Sequence, residues 1–433
     1  MRMNKEKDMT PYDMSEKPCR QNVFLLPLIW IASYIATRSS RLTIEKIGMD
    51  GLKPPFIVLS EHQGYMDYYI SPLSVFPNRA NYISDVEGFA AFGKFLYRQI
   101  GCLAKRRFTN DISLIRNIKH VINNKDIIFI YPEARHSNVG TNSKLPASTG
   151  KLIKLLQVPV VMLKSYGSYL SMPLWDEKHK REVPVHVILE KVLDPSDIRR
   201  LTADEITAVL DQHFYYDEYK WQYENKIKIT YPKRAEGLHK ALYMCPNCKT
   251  EFSMTSHDAA LTCEACNKNW VMDEYGKLAS CDGVTEFHHI PDWYEWQREE
   301  VTKQIESGNY ILKTEVTIEA LPNEKGFIDL GCGTLEHTHN GFYLTFSETK
   351  ESLSFSSSAM TSVQTEYDYK GKGECIVLST KDCCYYIYPL THKACRSGGH
   401  EHPTIKEFNV TKIQFAAEAF YSMKSISAKR KII

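Results

Sequence analysis

Residues 55–67 read PFIVLSEHQGYMD, an apolar run followed by a polar turn that contains a histidine and an aspartate. The apolar run has the length and composition of a buried strand. We therefore expect His62 to follow the carboxyl end of a strand, where α/β folds place ligand chemistry. An i, i+5 pair does not share one face of a regular helix. His62 and Asp67 can meet only if the histidine lies in the turn and the aspartate in the first turn of the next helix.

Histidine can accept and return a proton near neutral pH. A neighbouring carboxylate can fix the tautomer of the ring and stabilise its charged form. His62 and Asp67 therefore have the composition of a general base and its orienting partner. The same spacing also occurs in ordinary surface or helix-capping pairs, so the pair alone does not establish catalysis. Gly64 between them suits either close approach of a ligand or a plain turn.

Three further segments accompany this pair. A strand-like run at 126–130 ends in YPEARHS at 131–137, and QVPVVML occupies 157–163. Residues 100–107, IGCLAKRR, place three cations after a glycine turn. In this order and spacing the four blocks resemble the glycerolipid acyltransferase family that includes bacterial lysophosphatidic acid acyltransferase. The resemblance covers about residues 20–220.

The resemblance implies transfer of a fatty acyl group from acyl-CoA or acyl carrier protein, within phospholipid biosynthesis. The acceptor would be a hydroxyl of a lysophosphatidic acid or of a glycerol-phosphate-like molecule. His62 would be the general base and Asp67 its partner. The residues implied to bind the substrate are Glu133, Arg135, His136, Arg106, Arg107 and Gly64.

The chain departs from the family pattern in two blocks. Glu61 precedes the histidine where the family usually has Asn. The third block has Ala134, Arg135 and His136 where the family has Gly, Thr and Arg. Because the family's cation in that block is thought to bind the acceptor's phosphate, the way in which this chain binds the acceptor must differ. Two alternatives therefore stay open: another lipid or an amine as acceptor, and an inactive scaffold that binds partners through its other regions.

The chain has 433 residues, 43% of them hydrophobic and 24% charged, with a formal net charge of +2. This length suits two or three domains, and the small net charge gives no reason to expect nucleic acid as a partner. The first 20 residues are charged and polar, without the apolar core of a signal peptide. We therefore expect a protein of a reducing, cytoplasmic compartment.

Short β-rich runs alternate with helical stretches in the first half of the chain, which predicts the α/β class with helices on the faces of a sheet. Later the patterns become those of antiparallel strands followed by one helix, an order of elements similar to a pleckstrin-homology barrel. The expected units are a disordered N-terminus at 1–20, an acyltransferase domain at 21–235, a zinc ribbon at 240–285, a linking helix at 291–309 and a β-rich domain at 310–425.

Cys245 and Cys248 form one Cys-x2-Cys pair, and Cys263 and Cys266 form a second. Four thiolates in this arrangement predict a closed, tetrahedral Zn²⁺ site with a structural role. Lysines in this unit are balanced by acidic residues, so the cationic surface of a nucleic-acid-binding ribbon is not present. We expect the unit to space the domains or to contact a partner protein.

Residues 23–36, VFLLPLIWIASYIA, form the most apolar stretch of the chain. The stretch is shorter than the roughly 20 residues that span a bilayer. Together with Arg38, Arg41, Lys46 and the cations of 105–107, it predicts a helix that lies on the inner face of a membrane. The alternative is an apolar helix packed on the core of the acyltransferase domain.

Overall fold

The computed structural model describes residues 8–109, 111–176, 178–390 and 408–430. Within these ranges the chain forms an α/β unit, a small cysteine-bearing unit and a β-rich unit, with a helix between the last two. The expected mixed α/β class with a β-rich C-terminal region is therefore confirmed.

The α/β unit contains strands and helices in alternation. Its strands are β1 (Thr43–Ile47), β2 (Ile57–Ser60), β3 (Ala80–Asp85), β4 (Cys102–Lys105), β5 (Ile127–Ile130), β6 (Val160–Tyr166) and β7 (His186–Leu193). Its helices are α1 (Leu26–Thr37), α2 (Asp67–Ser74), α3 (Val86–Phe92), α4 (Lys94–Gln99), α5 (Ile112–Asn123), α6 (Ser148–Leu156), α7 (Ser168–Ser171), α8 (Pro195–Arg200), α9 (Ala203–Phe214) and α10 (Glu218–Glu224).

These strands form one sheet in the order β1-β7-β6-β2-β5-β3-β4. From β6 to β4 neighbouring strands are parallel, whereas β7 runs antiparallel to β6. β2 and β5 are buried along their whole length, as expected for central strands covered by helices on both faces. Leu59 of β2 is opposite Ile130 of β5. The turns that follow these two strands therefore begin side by side at the same edge of the sheet.

Two features of this sheet differ from the sequence-based expectation. The strand β3, which lies between β5 and β4, was not anticipated. The sequence pattern predicts one helix over 87–98, but this segment forms two helices, because Gly93 between α3 and α4 has a φ of +81° and interrupts the helical backbone. Both features surround Asp85, the last residue of β3 and the N-cap of α3.

The remaining elements belong to the other units. The cysteine-bearing unit contains β8 (Met254–His257), β9 (Ala260–Cys263), β10 (Asn269–Met272) and β11 (Leu278–Ser280), and helix α11 (Ile290–Glu306) follows it. The β-rich unit contains β12 (Leu312–Leu321), β13 (Ile328–Thr338), β14 (Gly341–Phe346), β15 (Ser352–Ser356), β16 (Gln364–Glu366), β17 (Cys375–Ser379), β18 (Cys384–Pro389) and α12 (Val410–Arg430). Short 3₁₀ turns lie at Arg38–Ser40, Leu174–Asp176, Leu238–Lys240 and Tyr369–Gly371.

In the described part of the β-rich unit, seven strands form an antiparallel sheet in the order β15-β14-β13-β12-β18-β17-β16. The long helix α12 packs against both α11 and β16. The likeness to a pleckstrin-homology barrel stays a prediction. Residues 391–407 of the expected domain lie outside the described residues.

The N-terminal segment 8–20 is ordered, which corrects the expected disorder of this part of the chain. The backbone N–H of Tyr12 donates to the carbonyl of Pro322 at 2.8 Å. Its ring is buried and lies 5.2 Å from that of Phe89, centroid to centroid. The segment therefore joins the α/β unit to the β-rich unit. Residues 1–7 lie outside the described part of the chain.

Arg106 makes a second link between these two units. Its Nη1 donates to the carbonyl of Lys381 at 2.6 Å and its Nη2 to that of Pro322 at 2.8 Å. The residue is 2% exposed. A buried cation needs such acceptors, because its desolvation is otherwise uncompensated. Arg106 was expected to bind substrate, and the structure instead places it in the contact between units.

We predict that Arg106→Ala lowers the thermal unfolding temperature by about 4 °C or more, because the contact between the units loses two hydrogen bonds from a buried guanidinium. Differential scanning fluorimetry of the full chain measures the shift. Arg116→Ala, at an exposed position of α5, serves as the matched control and should change the temperature by about 1 °C or less. Equal shifts for the two variants would contradict the assigned role.

Candidate active site

His62 lies in the turn after β2, and Asp67 is the first residue of α2. Nδ1 of His62 is 2.8 Å from Oδ2 of Asp67. The same oxygen accepts hydrogen bonds from the backbone N–H groups of Gln63 at 2.9 Å and Gly64 at 3.2 Å. Gly64 has a φ of +147°, which residues with a Cβ rarely adopt, so the turn itself accounts for this glycine. The turn thus brings the histidine and the carboxylate together.

The electrostatic environment sets the protonation of this pair. Because Oδ2 of Asp67 already accepts from two backbone N–H groups, it acts as an acceptor toward the ring as well, so His62 donates from Nδ1 and keeps a lone pair on Nε2. Burial lowers the pKa of His62, and the positive charge of Arg107 lowers it further. Burial raises the pKa of Asp67, an effect that the backbone N–H groups of Gly64 and Gln63 oppose. The His62 side chain remains 15% exposed, so a neutral base with an accessible lone pair results.

The third sequence block, 131–137, lies directly against this histidine. The backbone N–H of Ser137 donates to the carbonyl of His62 at 3.0 Å. The ring centroid of His136 is 4.1 Å from that of His62, and the Tyr131 ring is 4.6 Å away. Among the described residues, Nδ1 of His136 is buried without a hydrogen-bond partner. Burial lowers the pKa of His136 well below its usual value, so a second neutral imidazole lies beside the first.

Glu133 and Arg135 of the same block point to different partners. The carboxylate of Glu133 accepts a hydrogen bond from the backbone N–H of Ser143. Burial raises the pKa of Glu133 to about 7, although the nearby Arg135 opposes this. Nη1 of Arg135 donates to the carbonyl of His136 at 3.2 Å, and Nη2 is 3.6 Å from Oε1 of Glu418 on α12. The arginine of the third block is therefore paired with the C-terminal helix.

Arg107 follows β4 and lies beside the end of β3. Its Nε donates to Oδ2 of Asp85 at 2.7 Å. Arg106 and Arg107 were both expected at the site, but the guanidinium of Arg106 is directed to the carbonyl groups of Lys381 and Pro322. Of the two, the charge of Arg107 reaches the histidines and lowers the pKa of His62 and of His136.

Three acidic residues near this site were not identified from the sequence. Asp85 belongs to the strand that was not anticipated, and its helix-capping position is the local pattern that could have identified it. Glu366 on β16 and Glu418 on α12 come from the β-rich unit, far along the chain. Local patterns carry no information on such distant pairings.

Residues 39–163 match the family model described as Acyltransferase. The chain therefore contains an acyltransferase domain, and the match spans all four sequence blocks. The crystal structure of the 1-acyl-sn-glycerophosphate (LPA) acyltransferase PlsC from Thermotoga maritima is similar at 17% identity and a TM-score of 0.35, over 44% of this chain and 80% of that chain. A TM-score this low carries no weight for fold or function. None of the curated proteins compared matches the chain.

The four cysteines of the small unit also converge. Sγ of Cys245 is 3.8 Å from that of Cys266, and Sγ of Cys248 is 3.7 Å from that of Cys263. All four sulfurs lie within 4.8 Å of one another. With Zn–S bonds of about 2.3 Å, the corners of a tetrahedral site are about 3.8 Å apart. The sulfur positions therefore fit one Zn²⁺ ion with no coordination position left open.

An apolar surface lies near the histidine pair. Helix α1 packs on α2, with the ring centroids of Trp30 and Phe76 4.7 Å apart. The exposed large apolar residues of this surface are Phe24, Leu28, Ile31, Tyr34, Ile35 and Phe76. An ordinary core helix would bury such residues, so the core-helix alternative does not describe this outward face. In the described part of the chain, none of the helices has both the length and the apolar content to cross a bilayer.

The cations expected around this surface differ in their placement. Arg38, Arg41 and Lys46 are exposed. The 105–107 cluster is not an exposed patch, because Arg106 is buried and its neighbours are engaged by Asp85 and by the carbonyl of Thr109. Attraction to anionic lipids would therefore depend on the residues that follow α1.

Proposed function

We propose that this protein transfers a fatty acyl group from a thioester, acyl-CoA or acyl carrier protein, to a hydroxyl group of a lipid acceptor. The observation that carries the proposal is the 2.8 Å contact between His62 and Asp67, which leaves Nε2 of a neutral histidine available. The contact lies in the segment that matches the Acyltransferase family. A preorganised, uncharged base is what removal of a hydroxyl proton requires.

In this reaction Nε2 of His62 takes the proton of the acceptor hydroxyl as its oxygen attacks the thioester carbonyl carbon. Asp67 holds the ring through Nδ1 and stabilises the imidazolium that forms. The tetrahedral intermediate then collapses, the C–S bond breaks and the leaving sulfur takes the proton from His62. The thioester is already activated, so no enzyme nucleophile is required.

Other residues of the site have supporting roles in this proposal. Gly64 shapes the turn and leaves open space beside it, since no heavy atom lies within 4 Å of where its Cβ would be. Glu133, paired with the backbone of the Ser143 loop, holds the third block in place. The acceptor expected from the sequence is a lysophosphatidic acid or a glycerol-phosphate-like molecule, with another lipid or an amine as the alternative.

We predict that His62→Ala lowers acyl transfer by about 10²-fold or more, the usual contribution of a general base. Asp67→Asn should lose about 10-fold or more, because the amide cannot stabilise the imidazolium. Thiol release from an acyl thioester, measured with purified protein and a lysolipid mixture, gives the rate. Far-UV circular dichroism checks that each variant is folded.

The matched control is His257→Ala, because His257 is highly exposed and lies on the cysteine-bearing unit. This variant should retain the wild-type rate within about twofold. A His62 variant that is folded and as active as this control would eliminate the general-base role. A wild-type protein that transfers acyl groups to none of the lysolipids would favour the inactive scaffold.

We also propose that the four cysteines hold one structural Zn²⁺ ion. Each pair is part of a tight turn, in which the N–H of Lys249 donates to the carbonyl of Cys245 and that of Asn267 to the carbonyl of Cys263. Two equivalent knuckles that present four sulfurs are the usual construction of a closed zinc site. A closed site contributes to folding stability and leaves acyl transfer to the α/β unit.

Elemental analysis of the purified protein should give one Zn²⁺ ion per chain. Cys263→Ser should lose the metal and lower the unfolding temperature, because the ligand set is then incomplete. Cys281→Ser is the control, since this exposed cysteine of the same unit should leave the zinc content unchanged. Zinc-free protein that is folded but inactive, and active again after zinc addition, would show that the role is not merely structural.

We propose further that the surface around α1 docks on a lipid bilayer, at the inner face of the membrane. The α1 helix exposes apolar side chains and is followed by exposed cations. This combination favours the interface between headgroups and acyl chains. A lipid acceptor could then reach His62 from the membrane, because α2, which begins at Asp67, packs against α1.

The double variant Phe24→Ser/Leu28→Ser should bind anionic vesicles about 10-fold more weakly, because two side chains no longer enter the membrane. Flotation with phosphatidylglycerol-containing vesicles measures binding, and added salt should weaken what remains. The control Val284→Ser/Ile311→Ser removes comparably exposed apolar groups outside the α/β unit. Equal binding by both variants would exclude α1 as the docking surface.

A further inference from the structure

We propose that the acceptor is a lipid alcohol with an uncharged head group, and that a phosphomonoester is disfavoured. This inference rests on the proposed acyl transfer at His62 and specifies its substrate class. It follows from the partners of the three arginines that could have bound a phosphate. Each of them is already engaged within the protein.

Arg106 is unavailable because it links two units. Both of its described hydrogen bonds go to backbone carbonyls of the β-rich unit, at 2.6 and 2.8 Å. Turning this side chain toward a ligand would remove the guanidinium donor from the carbonyl of Lys381 and one of the two donors, with the N–H of Tyr12, from that of Pro322. A phosphate cannot recruit this cation without separating the units.

Arg135 forms an ion pair with Glu418 at 3.6 Å, and Glu418 has further partners. The carboxylate of Glu418 also pairs with Arg298 of α11 and accepts a hydrogen bond from the hydroxyl of Ser362 at 2.6 Å. One glutamate therefore links the third block, α11 and the β-rich unit. The positive charge of Arg135 is compensated by this glutamate before any ligand arrives. A phosphate would have to compete with a fixed carboxylate for the same guanidinium.

Arg107 is the cation whose charge reaches both histidines, yet it is compensated as well. Its Nε is occupied by Asp85 at 2.7 Å. The half-buried carboxyl group of Glu366 is also close enough to act on it, since Arg107 opposes the rise in the pKa of Glu366 that burial causes. With Nε bound to Asp85, the fork formed by Nε and a neighbouring Nη is already used, and the charge of the guanidinium is compensated before a ligand arrives. A dianion here would also approach Asp85 and Glu366.

Near His62, individual polar atoms are still available to hydrogen-bond a ligand. Among the described residues, Nη1 of Arg107 and Nδ1 of His136 are buried without a partner. Buried polar atoms are normally satisfied, so these atoms mark positions where a ligand or water completes the structure. A hydroxyl group can donate to or accept from such atoms without adding charge. The vacant hydrogen-bonding capacity therefore suits the hydroxyl groups of a glycerol-like head.

The experiment compares two acceptors that differ only in the phosphate, 1-oleoylglycerol and 1-oleoyl lysophosphatidic acid, in the same mixed micelles. The full-length protein and oleoyl-CoA are used, and thiol release gives kcat/KM for each acceptor. We expect kcat/KM to be at least ~10-fold higher for the uncharged acceptor. A preference for lysophosphatidic acid overturns the inference and leaves the proposed acyl transfer intact. No transfer to either acceptor overturns both.

Two variants test whether the ion pairs set this preference. Glu418→Gln releases Arg135, and Asp85→Asn releases Arg107 while its amide oxygen can still cap α3. Each should shift the ratio of the two kcat/KM values by ~10-fold toward lysophosphatidic acid. The matched control is Glu295→Gln, which removes an exposed partner of Arg298 and should leave the ratio unchanged.

The two carboxylates lie in different units, so one variant still reports if the other does not fold. An unchanged ratio in a folded Glu418 or Asp85 variant would overturn the role of that ion pair. A shift of equal size in the Glu295 variant would mean that general charge, and not the release of a particular arginine, controls the choice of acceptor.

Discussion

One oxygen of Asp67 holds the candidate active site together. It accepts hydrogen bonds from the His62 ring and from the backbone N–H groups of Gln63 and Gly64, all within 3.2 Å. These three bonds fix the turn between β2 and α2 and the orientation of the imidazole at once. The carbonyl of His62 then receives the N–H of Ser137, so the third block takes its position from the first. Without that carboxylate, neither the His62 ring nor the 131–137 loop beside it would be held in its present position.

The strand, turn and helix around His62 could be predicted from the sequence because all the information is local. An apolar run, a glycine and a carboxylate that accepts hydrogen bonds from the turn occur within residues 55–67. The proximity of the third block could not be derived in the same way. β5 lies next to β2 only because β3 and β4, which precede β5 in the chain, are placed beyond it in the sheet. β3 itself escaped notice because four of its six residues are only half-buried, which weakens its apolar pattern.

The cysteines show what sequence spacing can predict about a site, and the arginines show what it cannot. Cysteine spacing is informative because each zinc knuckle is a single tight turn, so Cys245 and Cys248 are close whatever the rest of the chain does. An arginine in a motif reveals a charge and not its partner. The partner of Arg135 is on the last helix of the chain, and the partners of Arg106 are carbonyl groups that no residue type encodes. The sequence motifs give the positions of the cations but do not show that each cation is paired within the protein.

The β-rich unit therefore belongs to the site as much as the α/β unit does. Asn138, directly after the third block, donates to Tyr294 of α11 at 3.0 Å and to Gln414 of α12 at 2.9 Å. Together with the pairing of Arg135 and Glu418, these bonds attach one side of the 131–137 loop to helices α11 and α12. The 39–163 segment that defines the domain would, on its own, present an unpaired Arg135 next to its histidines. In the proposed reaction the acceptor preference would depend on the whole chain, because Arg107 is paired with Asp85 inside the 39–163 segment and Arg135 with Glu418 outside it.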